Sequence, residues 1–334
     1  MIFELSFIFA GIIAFSVLTY VVLDGFDLGL GILFPLARDH KERGVMMNSV
    51  APVWDGNETW LVLGGGGLFA VFPLAYAVVM PALYMPIIVM LLALVFRGVG
   101  FEYRWRSERW RPFWDMAFFG GSLVATLMQG ISLGALVQGI QVEGRAYAGG
   151  WWDWLSPFSI GTGIALVLGY GLLGATWLVM KTEGPLQARM RGLAIWLGIG
   201  TLLAIGAVSL ATPFLHPQYL SRWFTFPAAW YSAAVPLLLL IAAFLLFTGL
   251  RRGKDIQPFL AAQSLFVLSF IGIGISFYPY IVPPDLTIAA AAAPDESLRF
   301  ILVGTVILVP IILGYTAYAY WVFRGKVDPN EGYH

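Results

Sequence analysis

The sequence predicts an all-α protein that crosses a membrane many times, as a single helical bundle over residues 1–334. Of its 334 residues, 59% are hydrophobic and 11% are charged, a composition far from that of an average soluble domain. The apolar residues form long continuous runs, each able to cross a hydrocarbon core of about 30 Å. Continuous runs exclude a β-barrel, whose strands alternate apolar and polar residues in units of about ten.

Nine apolar runs predict about nine transmembrane helices. Their bounds are 6–34, 49–72, 74–97, 115–138, 158–181, 190–212, 227–249, 258–282 and 299–323. Sixteen of the nineteen Lys and Arg residues fall on one side of this arrangement, which the positive-inside rule assigns to the cytoplasm. The N-terminus is therefore expected outside and the C-terminus in the cytoplasm. The first run carries Glu4 and lacks a basic segment before it, which argues against a cleaved signal peptide.

The rare residue types exclude several classes of function. Cysteine is absent, which excludes disulfides and thiol chemistry, and the net charge of zero argues against a nucleic-acid partner. The three histidines are His40 and His216, in predicted loops, and the terminal His334. Because haem iron is most often held by histidine, we expect neither a haem nor a metal ion to be ligated by this chain. No phosphate-binding loop or dinucleotide fingerprint is present.

Carboxylates in the cytoplasmic half of the predicted membrane are the clearest functional signal. Asp24 and Asp27 lie three residues apart near the end of helix 1, so they share one helical face. Asp55 and Glu58 have the same spacing near the start of helix 2. A charge at the bilayer centre costs about 2.5–3.5 kcal/mol on insertion scales, so such groups pair, take up a proton or contact water. A cytoplasmic proton path through these four residues is the leading interpretation.

A structural role is the alternative for these acids, since each could be held by backbone donors or paired with Arg97. Trp54 and Asn57 flank Asp55 and are interpreted as its packing and hydrogen-bonding support. In helix 2, Gly64 to Gly67 predict close approach of a neighbouring helix, with a flat quinone ring against the glycine face as the alternative.

Other polar and aromatic residues predict structural roles. Asp115, at the start of helix 4, is interpreted as a charge favoured by the helix dipole. The tyrosines that end helix 9 before Trp321 predict an interfacial aromatic belt. The remaining polar residues of the predicted helices are expected to form interhelical hydrogen bonds. They are Gln129, Gln138, Gln263 and Ser264.

Four segments resemble subunit II of cytochrome bd-type quinol oxidases. They are DGFDLGLG at 24–31, MNSVAPVWDGNETWL at 47–61, FRGVGFEYR at 96–104 and LVPIILGYTAYAYW at 308–321. The resemblance extends over nearly the whole chain, including helix number and motif order. It assigns the proton-path aspartate of the family's WDGN motif to Asp55 and the first aspartate of its DGFD motif to Asp24.

The resemblance implies a multi-pass protein of the bacterial inner membrane, with a periplasmic N-terminus, in a terminal oxidase that oxidises quinol and reduces dioxygen to water. Haem b and haem d are expected on a larger partner, subunit I, so this chain is expected to contribute to the enzyme without holding its redox centres. The resemblance leaves open whether a quinone is bound in this chain and whether a small accessory subunit is attached. Membrane lipids are expected as further partners.

Two other functions use the same carboxylates. A proton-coupled secondary transporter would work without an electron-transfer partner, and a purely structural subunit would hold these acids only as ion pairs.

Overall fold

The computed structural model describes residues 4–106 and 108–328, and these fold almost entirely into helices. The α-helices are α1 Leu5–Leu33, α2 His40–Asn48, α3 Trp54–Val71, α4 Pro73–Ala82, α5 Tyr84–Tyr103, α6 Arg111–Gln138, α7 Pro157–Lys181, α8 Gly184–Ala211, α9 Pro217–Phe224, α10 Ala228–Arg251, α11 Ile256–Phe277, α12 Ile288–Ala291 and α13 Asp295–Val322. Two small antiparallel hairpins join helices on the predicted outer side. Their strands are β1 Val142–Glu143 with β2 Ala146–Tyr147, and β3 Tyr280–Val282 with β4 Leu286–Thr287.

Eight helices of the described residues are long and apolar enough to cross a membrane. They are α1, α5, α6, α7, α8, α10, α11 and α13. Predicted helix 2 is present as α3, 18 residues long, but with its polar first turns it is not among these eight. The all-α membrane fold is confirmed, whereas the number of nine spans and their orientation stay predictions.

Several predicted helix bounds were wrong because prolines interrupt the apolar runs. Predicted helix 3 is two helices, α4 and α5, separated at Leu83, with Pro81 and Pro86 on either side of the break. Predicted helix 8 ends at Phe277 instead of 282, since Pro279 disfavours helical geometry at the residue before it. An apolar run shows where the chain can enter lipid, but not where its backbone stops being helical.

Glycines allow α1 to pack closely against α7 at the centre of the bundle. A Cβ atom added to Gly29 would lie 1.8 Å from the carbonyl oxygen of Tyr170, and one added to Gly174 would lie 2.4 Å from the carbonyl carbon of Gly29. Together with contacts from α3, α5 and α6, this packing buries every residue from 24 to 31. The acidic end of α1 is therefore inside the protein, away from lipid.

Helix α13 lies at the edge of the bundle. Leu298 is its one buried residue among those described, although the helix is apolar beyond its charged first turns. Its sides are therefore available to lipid or to another protein chain.

Candidate functional site: a buried cluster of acids around Arg97

Asp24 and Asp27 lie on the buried face of α1, and neither side chain is accessible to solvent. Asp24 is nine residues from the end of the helix at Leu33, which corresponds to about 14 Å along the axis. The structure thus places both carboxylates well inside the membrane-spanning segment, as the sequence predicts.

Arg97 of α5 is the cation at the centre of the cluster. Its side chain is 1% exposed, and its Nη2 atom lies 3.3 Å from Oδ1 of Asp24. Nη1 of Arg97 donates a hydrogen bond to Oε1 of Glu58, on α3. The guanidinium carbon lies 5.8 Å from the centre of the Trp54 ring, within the range of a cation–π contact. One arginine therefore joins α1, α3 and α5.

Asn57 links the second aspartate to α13. Its Nδ2 atom donates to Oδ2 of Asp27 at 2.6 Å and to the carbonyl oxygen of Leu23 at 3.2 Å. Its Oδ1 atom accepts a hydrogen bond from the Tyr320 hydroxyl at 3.0 Å. Asn57 thus supports Asp27, whereas the sequence had assigned it to Asp55. The aromatic belt predicted for helix 9 is wrong for Tyr320, because this hydroxyl turns inward.

Asp55 lies at the rim of the cluster, outside its buried centre. It is exposed in the first turn of α3, yet it is near enough to Glu58 for the two charges to interact. The Glu58 side chain is 26% exposed, while that of Asp24 is inaccessible. Exposure therefore falls in steps from Asp55 through Glu58 to Asp24.

A chain of polar side chains continues from Asp24 toward the middle of the bundle. The Tyr20 hydroxyl, one turn along α1, lies beside the Asp24 carboxylate. Nε2 of Gln129 donates to the Tyr20 hydroxyl at 2.7 Å, and the Tyr170 hydroxyl donates to Oε1 of Gln129 at 3.2 Å. The amide of Gln129 occupies the acceptor side of Tyr20, which leaves the Tyr20 proton free to point at Asp24.

The cluster has unused hydrogen-bonding capacity. Among the described residues, both carboxylate oxygens of Asp24, Oδ1 of Asp27 and Nε of Arg97 have no hydrogen-bond partner of normal geometry. A small cavity of about 20 Å³ adjoins Asn57 and Tyr320, between α3 and α13. This volume suffices for one water molecule, which is the type of group that satisfies buried polar atoms.

A second ion-pair network closes the predicted cytoplasmic end of the bundle. Asp115 accepts from Nε of Arg104 at 2.5 Å and from Nη1 of Arg43 at 2.7 Å. Arg104 is 2% exposed and lies over the rings of Phe34 and Trp105. The helix-dipole interpretation of Asp115 is wrong, because Asp115 lies beyond the first turn of α6 and its charge is paired with Arg43 and Arg104.

The predicted interhelical hydrogen bonds are present for three of the four polar residues. Gln129 bonds to α1, Gln138 contacts Ser156 before α7, and Gln263 donates to the carbonyl oxygen of Val22 at 2.8 Å. Ser264 instead donates to Leu260 of its own helix, so that prediction was wrong.

The described residues do not fit a haem. His40 is exposed at the start of α2. The Nε2 atom of His216, in a loop on the predicted outer side, lies 2.5 Å from the carbonyl oxygen of Gln138. His334 lies outside the described residues. Within residues 4–106 and 108–328, no three His, Asp or Glu side chains are grouped as metal ligands.

The glycine face of α3 is divided between packing and open space. Added Cβ atoms at Gly64 and Gly67 would contact Val17 and Ile13 of α1, whereas those at Gly65 and Gly66 would meet no neighbour within 4 Å. The close packing expected from the sequence therefore holds for two of the four glycines. A quinone against the other two stays a prediction.

Comparison with known proteins identifies the family. The model of the family "Cytochrome bd terminal oxidase subunit II" matches residues 5–323. The chain belongs to this family. The cytochrome bd-I ubiquinol oxidase subunit 2 of Escherichia coli K12 is 31% identical over 98% of this chain and 96% of its own length. The cytochrome bd ubiquinol oxidase subunit 2 of Bacillus subtilis 168 is 30% identical over 93% and 94%.

The fold is also that of a solved member of the bd oxidases. A chain in the structure of bd oxidase from Geobacillus thermodenitrificans superposes with a TM-score of 0.78 at 18% identity, over 96% of this chain and 98% of that one. This subunit II is thus a multi-pass inner-membrane protein and part of an oxidoreductase complex, as the sequence predicts. The roles of its acidic residues stay predictions.

Proposed function

We propose that this chain is the haem-free subunit of a two-subunit quinol:oxygen oxidoreductase and that its acidic cluster takes up protons from the cytoplasm. The haems, held by subunit I, would carry electrons from quinol to dioxygen. The relatives named as ubiquinol oxidase subunit 2 support this assignment, as does the lack of a histidine suited to haem in the described helices.

The observation that carries the proton path is the stepwise burial from Asp55 to Asp24. Asp55 is exposed, the Glu58 side chain is 26% exposed and contacts Arg97, and Asp24 is inaccessible beside the same arginine. In this arrangement Asp55 collects protons at the surface and Glu58 passes them inward. The positive charge of Arg97 stabilises the carboxylates when they are ionised, because the low dielectric of the interior strengthens the attraction.

Asn57 and Tyr320 form a second polar contact to the cluster, at Asp27. The small cavity beside them, between α3 and α13, has room for one water next to Asn57. Asn57, which borders this cavity, then connects a water there to the buried carboxylate of Asp27. Both routes lead to the buried pair on α1.

Proton uptake at this position suits the proposed reaction. Reduction of dioxygen to water consumes protons, and quinol oxidation releases them. Taking protons from the cytoplasmic side separates charge across the membrane when quinol releases its protons outside. The predicted orientation of α1 and α3 places the acidic cluster on the cytoplasmic side, which is the required side.

The test compares Asp55→Asn, Glu58→Gln and Asp24→Asn in the purified two-subunit complex, with Asp285→Asn as a matched control. Asp285 is exposed in a loop on the predicted outer side and far in sequence from the acidic cluster. We expect the three cluster variants to keep their haem content and to lose at least tenfold in oxygen consumption, with the control unchanged. Proton uptake by vesicles containing the complex should fall in parallel.

Normal turnover in a fully assembled Asp24→Asn variant would contradict the proton path and leave the ion-paired structural role. A colourless chain purified alone, with substrate-driven proton flux, would instead support the transporter.

A further inference from the structure

An open groove lies between α10 and α11 on the membrane-facing side of the bundle. Its volume is about 1080 Å³, and its walls are Leu238, Ile241, Leu245, Leu260 and Leu268. The floor is formed by two small buried residues, Ala242 and Ala261, which is why the surface is concave here.

The length of the groove matches one leaflet of a bilayer. On α11 it runs from Ile256 to Leu268, which corresponds to about 18 Å along the helix axis. Half of a hydrocarbon core measures about 15 Å. One end of the groove opens at the 252–255 turn, which the charge bias of the sequence assigns to the cytoplasmic surface. The groove therefore has the reach of a lipid acyl chain of the inner leaflet.

Polar side chains along the groove are already satisfied within the protein. Nε2 of Gln257 donates to the carbonyl oxygen of Leu245 at 2.9 Å, and the Ser264 hydroxyl donates to that of Leu260 at 2.8 Å. The walls consequently offer a mainly apolar contact, and the side-chain donors of Gln257 and Ser264 are already used. This chemistry favours an alkyl chain as the occupant.

The mouth of the groove is positively charged. Lys254 lines this end, and Arg251 and Arg252 precede it in the same turn. All three are exposed, and no ion pair to any of them is found in the described parts of the chain. The one acid beside them, Asp255, is neutralised by Arg191 and Lys326, each 2.8 Å from one of its oxygens. The three cations are thus left for a negative group outside the protein.

We propose that this groove binds an anionic glycerophospholipid of the inner leaflet, with one acyl chain between α10 and α11 and its phosphate at the Arg251–Lys254 turn. Each Lys or Arg near a membrane surface contributes about 1 kcal/mol to the attraction of anionic lipid, which is about fivefold in affinity. Removing all three cations should therefore weaken binding by about 100-fold. The proposal is independent of the proton path, since the groove contains none of its residues.

The experiment measures lipid retained by the purified complex after transfer from nanodiscs of phosphatidylglycerol or of phosphatidylcholine, by native mass spectrometry. The triple variant Arg251→Gln, Arg252→Gln, Lys254→Gln is compared with a matched control, Arg38→Gln, Arg106→Gln, Arg109→Gln. The control also removes three exposed cations from the predicted cytoplasmic side, away from the groove. A third variant, Ser264→Phe, fills the groove from an exposed position and leaves all charges in place.

We expect the wild type and the control to retain phosphatidylglycerol in preference to phosphatidylcholine, and both groove variants to lose it. Equal retention of the two lipids would overturn the proposed headgroup recognition. Retention unaffected by either groove variant, or a quinone or protein partner found against α10 and α11 instead, would overturn the site.

Discussion

Replacing Arg97 by glutamine tests whether one guanidinium holds the acidic cluster together. The variant removes the cation that contacts Asp24 at 3.3 Å and that donates to Glu58, while all three side chains stay largely inside the protein. At this distance and an effective dielectric constant of about 20, the Asp24–Arg97 attraction alone is about 5 kcal/mol. Breaking a buried pair by removing one partner costs about 3–5 kcal/mol, because an uncompensated charge is left behind.

We therefore expect Arg97→Gln to lower the apparent Tm of the purified complex by on the order of 10 °C. The measurement is a thermal scan of the two-subunit complex at one fixed heating rate, followed by tryptophan fluorescence and by haem retention. Arg106→Gln is the matched control, because Arg106 is an exposed arginine of the neighbouring loop.

A double-mutant cycle separates the charge effect from lost packing against Trp54. When Asp24→Asn is already present, the buried anion is gone, so Arg97→Gln should cost about 1–3 kcal/mol less than it does alone. Strictly additive effects of the two substitutions, or an unchanged Tm in Arg97→Gln, would refute the assignment of Arg97 as the partner of Asp24.

Two further predictions concern packing and pH. Gly29→Ala should destabilise the complex by at least about 1–3 kcal/mol, because the added Cβ would lie 1.8 Å from the Tyr170 carbonyl oxygen. Gly11→Ala is the control, because an added Cβ at Gly11 in the same helix meets no neighbour within 4 Å. Equal Tm values for the two variants would contradict the close α1–α7 contact. The hydrogen bond from Lys326 holds the pKa of Asp255 below its ordinary value, with Arg191 adding to the effect. The ionised Asp255 carboxylate therefore stabilises the fold above its unfolded pKa of about 3.9, and this contribution is lost as the pH falls through the lower folded pKa. The Tm difference between wild type and Asp255→Asn should narrow from pH 7 to pH 3. A constant Tm difference would contradict the stabilising role of Asp255.

The acidic cluster is partly predictable from local features of the sequence. The spacing of Asp24 and Asp27 predicts two carboxylates on one face, and both are buried as expected. Their pairing with Arg97 was weighed as the structural alternative, and the ion pair to Asp24 is present. Whether the pair serves only structure or also proton uptake is a question of activity, which the experiments above address.

Two members of the surrounding network had no sequence signal that points to the cluster. Tyr320 was grouped with the interfacial tyrosines because it lies in the same run as Tyr315 and Tyr318, and only the rotation of α13 turns its hydroxyl toward Asn57. Tyr20 looks like one more apolar-facing residue of helix 1 until Gln129 of α6 is placed beside it. When a helix is apolar on all sides, its sequence does not show which face packs against which neighbouring helix.

The sequence by itself determined the class, the membrane location and the family, because continuous apolar runs, one-sided basic loops and the acidic motifs are local properties of the chain. Only the tertiary structure decided which carboxylates meet Arg97, that Asp55 stays at the rim, and where prolines break the predicted helices. The physical reason is that lipid solvates every apolar helix face alike, so burial is assigned by packing. Gly29 of α1 and Gly174 of α7 permit close packing on one side of α1, and Asn57 and Arg97 cover its acidic side.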